Sequence, residues 1–400
     1  MLVVALVVDA AGNGLFAPLS LIYFTRLTDV SLALVGTLLT VANLVALPLP
    51  IWAGALADRI GPRPLVVGAQ VLLAGGFLAY AGVTGPVGIL LSATLVAIGV
   101  RIFWCTIFTL LADYADGDDR PRARTIDGWY AVANAARTAG IAIGGLITGA
   151  VAADGTTAGY RGVAVGAAVA LAGAAALVGF WVRAPRHTPT TDAAPVGYRE
   201  LLRDRPYLGL IGINTVWAGT SMMFALALPT VALATGAPAW LTAALLAANA
   251  ILIATLSAPL VNRLGGFRRT TVLAGSALLW ALWCALLAVV GVTGAVVATV
   301  VLIASTLLFT VAETAHGPVS TGVAAAAAPA SARGRYLSAF QYSFAIASVV
   351  APAFFAILYE LGPALPFVAL GVINAASAFA ARRLARTLPA VAVAGALPRS

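Results

Sequence analysis

The stretch that decides the fold reads Gly54-Ala55-Leu56-Ala57-Asp58-Arg59-Ile60-Gly61-Pro62-Arg63. It stands between two apolar runs, near 32–53 and 65–83, and each run has about the 20 residues that a helix needs to cross a bilayer. Gly61 allows backbone conformations that other residues avoid. Pro62 suits the first turn of a following helix. The stretch therefore predicts a short turn between two membrane-spanning helices.

The composition of the whole chain supports this prediction. Of the 400 residues, 62% are hydrophobic and only 9% are charged, whereas a soluble domain carries roughly 25% charged residues. Met1 to Val8 open directly into an apolar run without the basic start of a signal peptide, so we interpret this run as the first spanning helix. The apolar runs predict twelve spanning helices, near 2–24, 32–53, 65–83, 87–111, 125–152, 161–182, 207–232, 239–260, 269–290, 295–322, 335–358 and 364–384.

The arginines predict how these helices are oriented. If the N-terminus is inside, 19 of the 23 basic residues fall in cytoplasmic segments. Arg26 and Arg161 fall outside, and Arg101 and Arg137 fall within helices. This bias follows the positive-inside rule, and an even number of helices places both termini in the cytoplasm. Because the basic residues are spread over short loops, they do not indicate a nucleic-acid surface.

The two halves of the chain are related. A second loop, Ala258-Pro-Leu-Val-Asn-Arg-Leu-Gly265, matches the first, and its Arg263 corresponds to Arg59. Such repeats are typical of transporters, in which the substrate site lies at the interface between repeats. We therefore predict an all-helical membrane protein with a six-helix bundle over 1–182, a cytoplasmic linker over 183–206, a second six-helix bundle over 207–388 and a short cytoplasmic tail over 389–400.

The first loop resembles the signature of the major facilitator superfamily, roughly G-x-L-a-D-r-x-G-r-[RK], which stands between helices two and three. The resemblance covers residues 1 to about 388 and implies a monomeric transporter with two pseudo-symmetric six-helix bundles. It also implies a gating loop, made of Gly54, Asp58, Arg59, Gly61 and Arg63. In that loop Asp58 would join an interdomain latch near helix eleven that holds one face closed. The alternative is that these charges only set the topology.

Two further helices resemble the drug:proton antiporter branch of this family. Arg101 resembles a helix-four arginine that is implicated in proton coupling. The small residues of helix five resemble the antiporter motif G-x-x-x-G-P-x-x-G-G, with matches at Gly140, Gly144 and Gly145. Ile141 replaces the proline of that motif, and Ala136 replaces its first glycine. Small residues at this spacing also let helices pack closely, so packing is an alternative explanation.

Four ionisable residues fall inside the predicted helices: Asp9, Arg101, Arg137 and Glu313. Such groups are costly at membrane depth and often mark a function. We predict proton coupling through Glu313 or Asp9, with Arg101 as a tuning partner. The alternatives are a buried ion pair that fixes helix packing, or contact with a cationic substrate. Arg137 could bind an anionic group of the substrate, or pair with Asp9 or Asp127, although we expect headgroups and water to solvate Asp127.

The predicted substrate cavity is mostly apolar with a few polar groups. Its candidate residues are Asn13, Trp104, Tyr130, Asn134, Arg137, Trp217 and His316. Asn214 and Asn249 are further amides in apolar runs that need partners. His316 follows Glu313 by three residues and shares its helix face. A Glu-x-x-His pair binds metal only with matching ligands on other helices, so we expect a hydrogen-bonded pair or a proton relay, and no metal.

These features predict a secondary active transporter of the cell (inner or plasma) membrane. We expect proton-coupled efflux of a lipophilic small molecule by alternating access, as in multidrug antiporters. The expected partners are the substrate, protons and the lipid bilayer, with no nucleic acid and no cofactor. An importer of a metabolite, such as a sugar or an organic acid, is the alternative. A receptor without transport or a membrane enzyme is a third possibility, but no nucleotide-binding loop or nucleophile constellation supports an enzyme.

Overall fold

The structure of the protein, a computed structural model, describes residues 1–16, 22–28, 30–116, 126–154, 156–182, 198–291 and 293–395. Within these ranges the regular secondary structure is helical. The helices are α1 (Leu2–Phe16), α2 (Ile22–Leu27), α3 (Leu32–Ala46), α4 (Leu49–Ile60), α5 (Pro62–Ala81), α6 (Pro86–Asp116), α7 (Ile126–Asp154), α8 (Thr157–Trp181), α9 (Tyr198–Arg203), α10 (Arg205–Ala234), α11 (Ala239–Leu264), α12 (Arg269–Val290), α13 (Ala295–Ala327), α14 (Arg333–Leu361), α15 (Leu365–Leu384) and α16 (Ala390–Val393). A short 3-10 turn, Ala330–Ala332, precedes α14.

Ten of the described helices are long and apolar enough to cross a membrane, and the bent pair α3–α4 would make eleven. The predicted first helix, 2–24, is represented by the 15-residue α1, which is too short to span by itself. Residues 17–21 lie outside the described ranges. Twelve spans therefore stay a prediction, as does the cytoplasmic position of both termini.

The signature stretch is helical, which corrects the predicted boundary of helix two. α4 continues through the stretch to Ile60, and only Gly61 separates it from α5. Gly61 has φ +84°, a conformation that glycine adopts without the steric cost of a side chain. Pro62 begins the next helix, where its missing N–H costs no hydrogen bond. The bend of 41° between α3 and α4 coincides with Pro48, which cannot continue the helical ladder.

The chain forms two compact units. The first unit comprises Met1–Arg120, Val132–Ala194 and Ala330–Ser338. The second comprises Pro121–Ala131, Pro195–Pro329 and Ala339–Ser400. Of the predicted linker, 183–197 lie outside the described residues, and the remainder includes α9 and the start of α10. The predicted tail contains α16, and its last residues, 396–400, also lie outside the described ranges.

Each unit has an aromatic core. In the first unit, Phe16 packs against Tyr23, Phe77 and Tyr80, with ring centroids 4.8–5.0 Å apart. In the second unit, the rings of Phe224 and Phe309 stack at 4.2 Å. Aromatic pairs at such distances stabilise a core beyond the area that they bury. These cores fix the helices that carry the candidate site residues.

Candidate functional site

Asp9 is the buried carboxyl of the first unit. It lies on α1 and is only 1% exposed. Gln70 of α5 donates a hydrogen bond from Nε2 to Asp9 Oδ1 at 3.0 Å. Asn13 donates from Nδ2 to Asp9 Oδ2 at 3.4 Å and to the backbone oxygen of Asp9 at 2.9 Å. The two amides replace part of the hydration that burial removes, because a buried polar group needs hydrogen-bond partners.

Arg137 on α7 is held beside Asp9 by an aromatic ring. Its guanidinium carbon lies 3.9 Å from the ring centroid of Trp104, within the range of a cation–π interaction. Arg137 and Asp9 interact electrostatically, yet among the described residues neither forms a direct ion pair. The predicted pairing of Arg137 with Asp9 is therefore present only as an interaction at longer range, and Trp104 fixes the position of the cation.

These side chains border one cavity of about 110 Å³ in the first unit. The cavity is lined by Asp9, Ala10, Asn13, Leu73, Val100, Phe103, Trp104, Arg137 and Ile141. Four predicted site residues therefore share one space: Asp9, Asn13, Trp104 and Arg137. A carboxyl, a cation and an amide among apolar walls can orient a small molecule or a chain of waters.

Two predicted residues of the first unit lie away from this cavity. Arg101 on α6 is half-buried and does not line it, whereas Val100 and Phe103 of the same helix do. Asn134 is half-buried, and its backbone oxygen accepts a hydrogen bond from Thr138 at 2.9 Å. Tyr130, also predicted for the cavity, is buried in the second unit.

Glu313 is the carboxyl of the second unit at the middle of α13. The side chains of Ser221 on α10 and Asn249 on α11 lie near enough to its carboxyl to act as donors. The Oδ1 of Asn249 accepts a hydrogen bond from Thr310 Oγ1 at 2.7 Å, so three helices converge on one polar cluster. Within the described ranges Glu313 forms no ion pair. The cluster therefore presents a carboxyl that neutral donors hold in an apolar unit.

His316 follows Glu313 by three residues on the same helix of the second unit. It is buried, with 3% of its surface exposed. Its ring centroid lies 5.1 Å from that of Trp217 and 4.9 Å from that of Trp280. Its Nε2 has no hydrogen-bond partner in the part of the chain that the structure describes. The expected hydrogen-bonded pair of His316 with Glu313 is absent, because the two tryptophan rings hold the imidazole. Trp217 in turn donates to Ser377 Oγ at 2.8 Å.

The signature stretch contacts the start of α14 within the first unit. Asp58 Oδ1 accepts a hydrogen bond from the backbone N–H of Gly334 at 2.6 Å, and Oδ2 accepts one from the N–H of Arg335 at 3.3 Å. Arg335 Nη1 also lies 3.5 Å from Asp58 Oδ2. The first N–H groups of a helix have no partner within it and carry partial positive charge, so a carboxylate there is stabilised.

Two glycines make this contact possible. A Cβ on Gly334 would lie 2.6 Å from Asp58 Oδ1, and a Cβ on Gly54 would lie 2.8 Å from the backbone oxygen of Gly334. Positions 54 and 334 therefore need glycine, because the two backbones approach closely.

Arg63 donates from Nε to the backbone oxygen of Val178 at 3.3 Å, which ties α5 to α8. Arg59, by contrast, is exposed.

The small residues of helix five pack α7 directly against α1. A Cβ on Gly140 would lie 2.5 Å from the backbone oxygen of Val7. A Cβ on Gly144 would overlap the backbone oxygen of Ala11 and lie 2.5 Å from the backbone nitrogen of Leu15. Gly145 is half-buried in the same helix. Close packing thus explains Gly140 and Gly144 without reference to antiport.

The structure overturns the expectation that headgroups solvate Asp127. Asp127 is 4% exposed, and its Oδ2 accepts a hydrogen bond from Arg269 Nε at 2.6 Å within the second unit. Arg269 also donates from Nη1 to the backbone oxygen of Val391 in α16 at 3.0 Å. Gly322 leaves room for the carboxyl, since a Cβ there would overlap Asp127 Oδ1. The buried Arg269 lowers the cost of burying Asp127, while Asp127 Oδ1 has no hydrogen-bond partner among the described residues.

Several partners were absent from the sequence-based candidates. Gln70, Ser221 and Arg269 complete the three carboxyl sites described above. Gln70 is a single amide in an apolar run, which was a usable signal of a polar contact inside the membrane. Ser221 carries no such signal, because hydroxyls are common in spanning helices and bond to their own backbone.

Known proteins define the family and the fold. The sequence profile of the Major Facilitator Superfamily matches residues 2–315, while no curated protein matches the chain. The structure is similar to the human organic anion transporter MFSD10 (TETRAN), with TM-score 0.70 and 16% identity over 95% of this chain and 97% of that one. It is also similar to FucP, the E. coli fucose:proton symporter, whose outward conformation matches with TM-score 0.73 and 16% identity over 96% of this chain and 97% of that one.

Proposed function

Because the chain belongs to the Major Facilitator Superfamily, a family of multi-pass membrane transporters, we propose that it exports a lipophilic small molecule in exchange for protons. In this proposal the protein is a monomer in the cell (inner or plasma) membrane, with both termini in the cytoplasm. It also includes twelve spans in two pseudo-repeated halves, 1–182 and 207–388, which expose the substrate to each side in turn.

The single observation that carries proton coupling is the environment of Glu313. An ionised carboxylate at membrane depth costs several kcal/mol unless it is paired or hydrated. Glu313 has hydroxyl and amide partners but no ion pair among the described residues. A bound proton removes this cost by neutralising the carboxylate. Hydration or a cationic substrate offsets the cost while the carboxylate stays ionised. Proton and substrate therefore compete for the same carboxyl, which is the requirement for exchange.

Asp9 and Arg137 support a second polar site in the first unit. Gln70 and Asn13 satisfy Asp9 with neutral donors, and Trp104 keeps Arg137 over the same cavity. Arg137 interacts with Asp9 without bonding to it directly. A change in the protonation of Asp9 would therefore change the net charge of the cavity. This arrangement suits a site where substrate and proton influence one another.

We assign the contact of Asp58 with α14 a gating role. The carboxylate binds two backbone N–H groups at the start of that helix and the side chain of Arg335. Charge-assisted hydrogen bonds of this kind are stronger than neutral ones, yet each is weak enough to be broken in a transport cycle. The absence of a Cβ at Gly54 and Gly334 leaves room for this contact.

Arg137 favours one alternative, import of an organic anion. A guanidinium that lines a cavity and has no direct ion pair among the described residues can bind a carboxylate in bidentate geometry. The structurally similar MFSD10 is an organic anion transporter, and FucP is a fucose:proton symporter. Symport and antiport differ in the direction in which protons move with the substrate, so one measurement separates them.

We expect a permanently charged lipophilic cation that enters a vesicle to drive protons out of it. Purified protein would be reconstituted into vesicles that contain the pH dye pyranine, and ethidium, fluorescein or L-fucose would be added outside. Exchange predicts that ethidium entry raises the lumenal pH, because each entering cation drives a proton out. The sign does not depend on how the protein is inserted.

Protein-free vesicles give the control for leakage. A fall in lumenal pH with fluorescein or fucose would instead establish symport and import of that class. If none of the three probes changes the lumenal pH beyond the control, proton-coupled export of such compounds is refuted for this protein.

A further inference from the structure

A groove in the second unit lies where α15 ends beside α10. It is shallow and wide open, and it is lined by Ile213, Phe379, Ala380, Arg383, Leu384 and Thr387. Its walls are apolar except for Arg383 and Thr387, and it has no acidic lining residue. The Thr387 hydroxyl already donates to the backbone oxygen of Leu384 at 3.0 Å. Arg383 is therefore the charged group that an occupant would meet.

The guanidinium of Arg383 is held in place by its neighbour one turn earlier. It lies 4.8 Å from the ring centroid of Phe379, which is itself 61% exposed. The ring attracts the cation and limits its freedom. Arg382 and Arg386 are exposed on either side, and none of the three arginines forms an ion pair with a described residue. Three adjacent cations without counter-charges create a local demand for an anion.

An apolar stripe leads away from this cationic end. Val368, Val372, Ala376, Phe379 and Arg383 follow one another at spacings of three or four residues, so they share one face of α15. Val368 is 51% and Val372 is 65% exposed. From Phe379 to Val368 the helix rises about 16 Å at 1.5 Å per residue. This length matches one leaflet, about half of a 30 Å hydrocarbon core.

We propose that this groove is a binding site for an anionic phospholipid. The headgroup phosphate binds Arg383 with Arg382 and Arg386 beside it, and one acyl chain lies along the stripe from Phe379 to Val368. Basic pockets at the cytoplasmic ends of spanning helices bind such headgroups, whereas a zwitterionic lipid gains little from the three charges. The site is independent of the proposed transport function, since it shares no residue with the Asp9 and Glu313 clusters.

The topology rule and the helix dipole offer a competing role for the same arginines. Cations at the C-terminal end of a helix offset its partial negative charge, and that role requires no lipid. The two roles differ in whether the exact position of the arginine matters. A purely topological arginine is interchangeable with any other on the same side, whereas a headgroup ligand is not.

Native mass spectrometry of the purified full chain distinguishes them. The protein would be titrated with phosphatidylglycerol or phosphatidylcholine, and the lipid-bound fraction would be compared at equal concentration. We expect the wild-type protein to favour phosphatidylglycerol by at least about fivefold. Arg383→Gln should lower phosphatidylglycerol binding about fivefold and leave phosphatidylcholine binding unchanged.

Two further variants keep the test decisive. Arg263→Gln removes an exposed arginine from the end of α11, on the same predicted side, and should retain full binding. Arg383→Lys keeps the charge and should retain most of it, which excludes misfolding as the cause. The proposal is overturned if the two lipids bind equally, if Arg383→Gln and Arg263→Gln behave alike, or if Arg383→Lys loses as much binding as Arg383→Gln.

Discussion

Replacing Glu313 by glutamine is expected to remove the ability of a proton gradient to drive transport. If one proton is exchanged in each cycle, a gradient of one pH unit supplies about 1.4 kcal/mol and sustains about tenfold accumulation of ethidium. Glutamine can still hydrogen-bond to Ser221 and Asn249 but cannot bind and release a proton. We expect accumulation to fall to the level of equilibration and the binding of ethidium to weaken, because glutamine offers the cation no carboxylate. Ethidium fluorescence in proteoliposomes measures the accumulation, and equilibrium titration of the purified protein measures the binding.

The matched control is Glu360→Gln, which makes the same chemical change at an exposed carboxyl near the end of α14. It should transport as the wild-type protein does. Asp9→Asn tests the other carboxyl, and an intermediate loss there would show that Asp9 tunes the cycle. Undiminished gradient-driven accumulation in Glu313→Gln would assign the proton to another group.

Adding one methyl group at Gly144 is expected to destabilise the first unit strongly. The new Cβ of Gly144→Ala would overlap backbone atoms of Ala11 and Leu15, which cannot turn away as a side chain can. α1 and α7 would have to separate, and overpacking of this kind costs typically about 1–3 kcal/mol, occasionally more. Thermal unfolding of the detergent-purified protein should therefore shift to clearly lower temperature.

Gly162→Ala is the matched control, because a Cβ at Gly162 in α8 meets no atom within 4 Å. Alanine is the better helix former, so this variant should be unchanged or more stable by up to about 1 kcal/mol. Equal unfolding temperatures for the two alanine variants would mean that α1 and α7 do not pack through these glycines.

Local sequence patterns were sufficient for most of the fold. The ninth predicted helix, 269–290, coincides with α12, because Arg269 and Gly291 stand at its two ends. The sequence predicts a loop for the signature stretch, whereas most of it forms the last turns of α4. A run of Ala, Leu and Asp carries no helix-stopping residue before Gly61, so the ladder continues until glycine ends it. The end of an apolar run marks where the chain leaves the lipid. The helix itself can continue beyond that point, as α4 does.

The candidate sites were predictable in residue type but not in partnership. The cost of a charge at membrane depth points to Asp9, Arg101, Arg137 and Glu313, and the functional roles of these residues stay predictions. The sequence did not show that Gln70 bonds to Asp9, or that Asp127 meets Arg269, 142 positions later. Such pairs depend on how distant helices pack, and helical periodicity contains no information about it. The expectation for Asp127 is wrong for that reason, since its position at the start of a helix indicates water rather than a buried partner.

Infrared spectroscopy of the protein in lipid nanodiscs detects proton binding at Glu313 without any substrate. The C=O stretch of protonated carboxyl groups would be recorded while the pH is raised from acid to alkaline. We expect the band of protonated Glu313 to disappear during this titration in the wild-type protein and in Glu360→Gln. In Glu313→Gln this band should be missing at every pH. Identical titrations of the wild-type protein and Glu313→Gln would contradict this expectation.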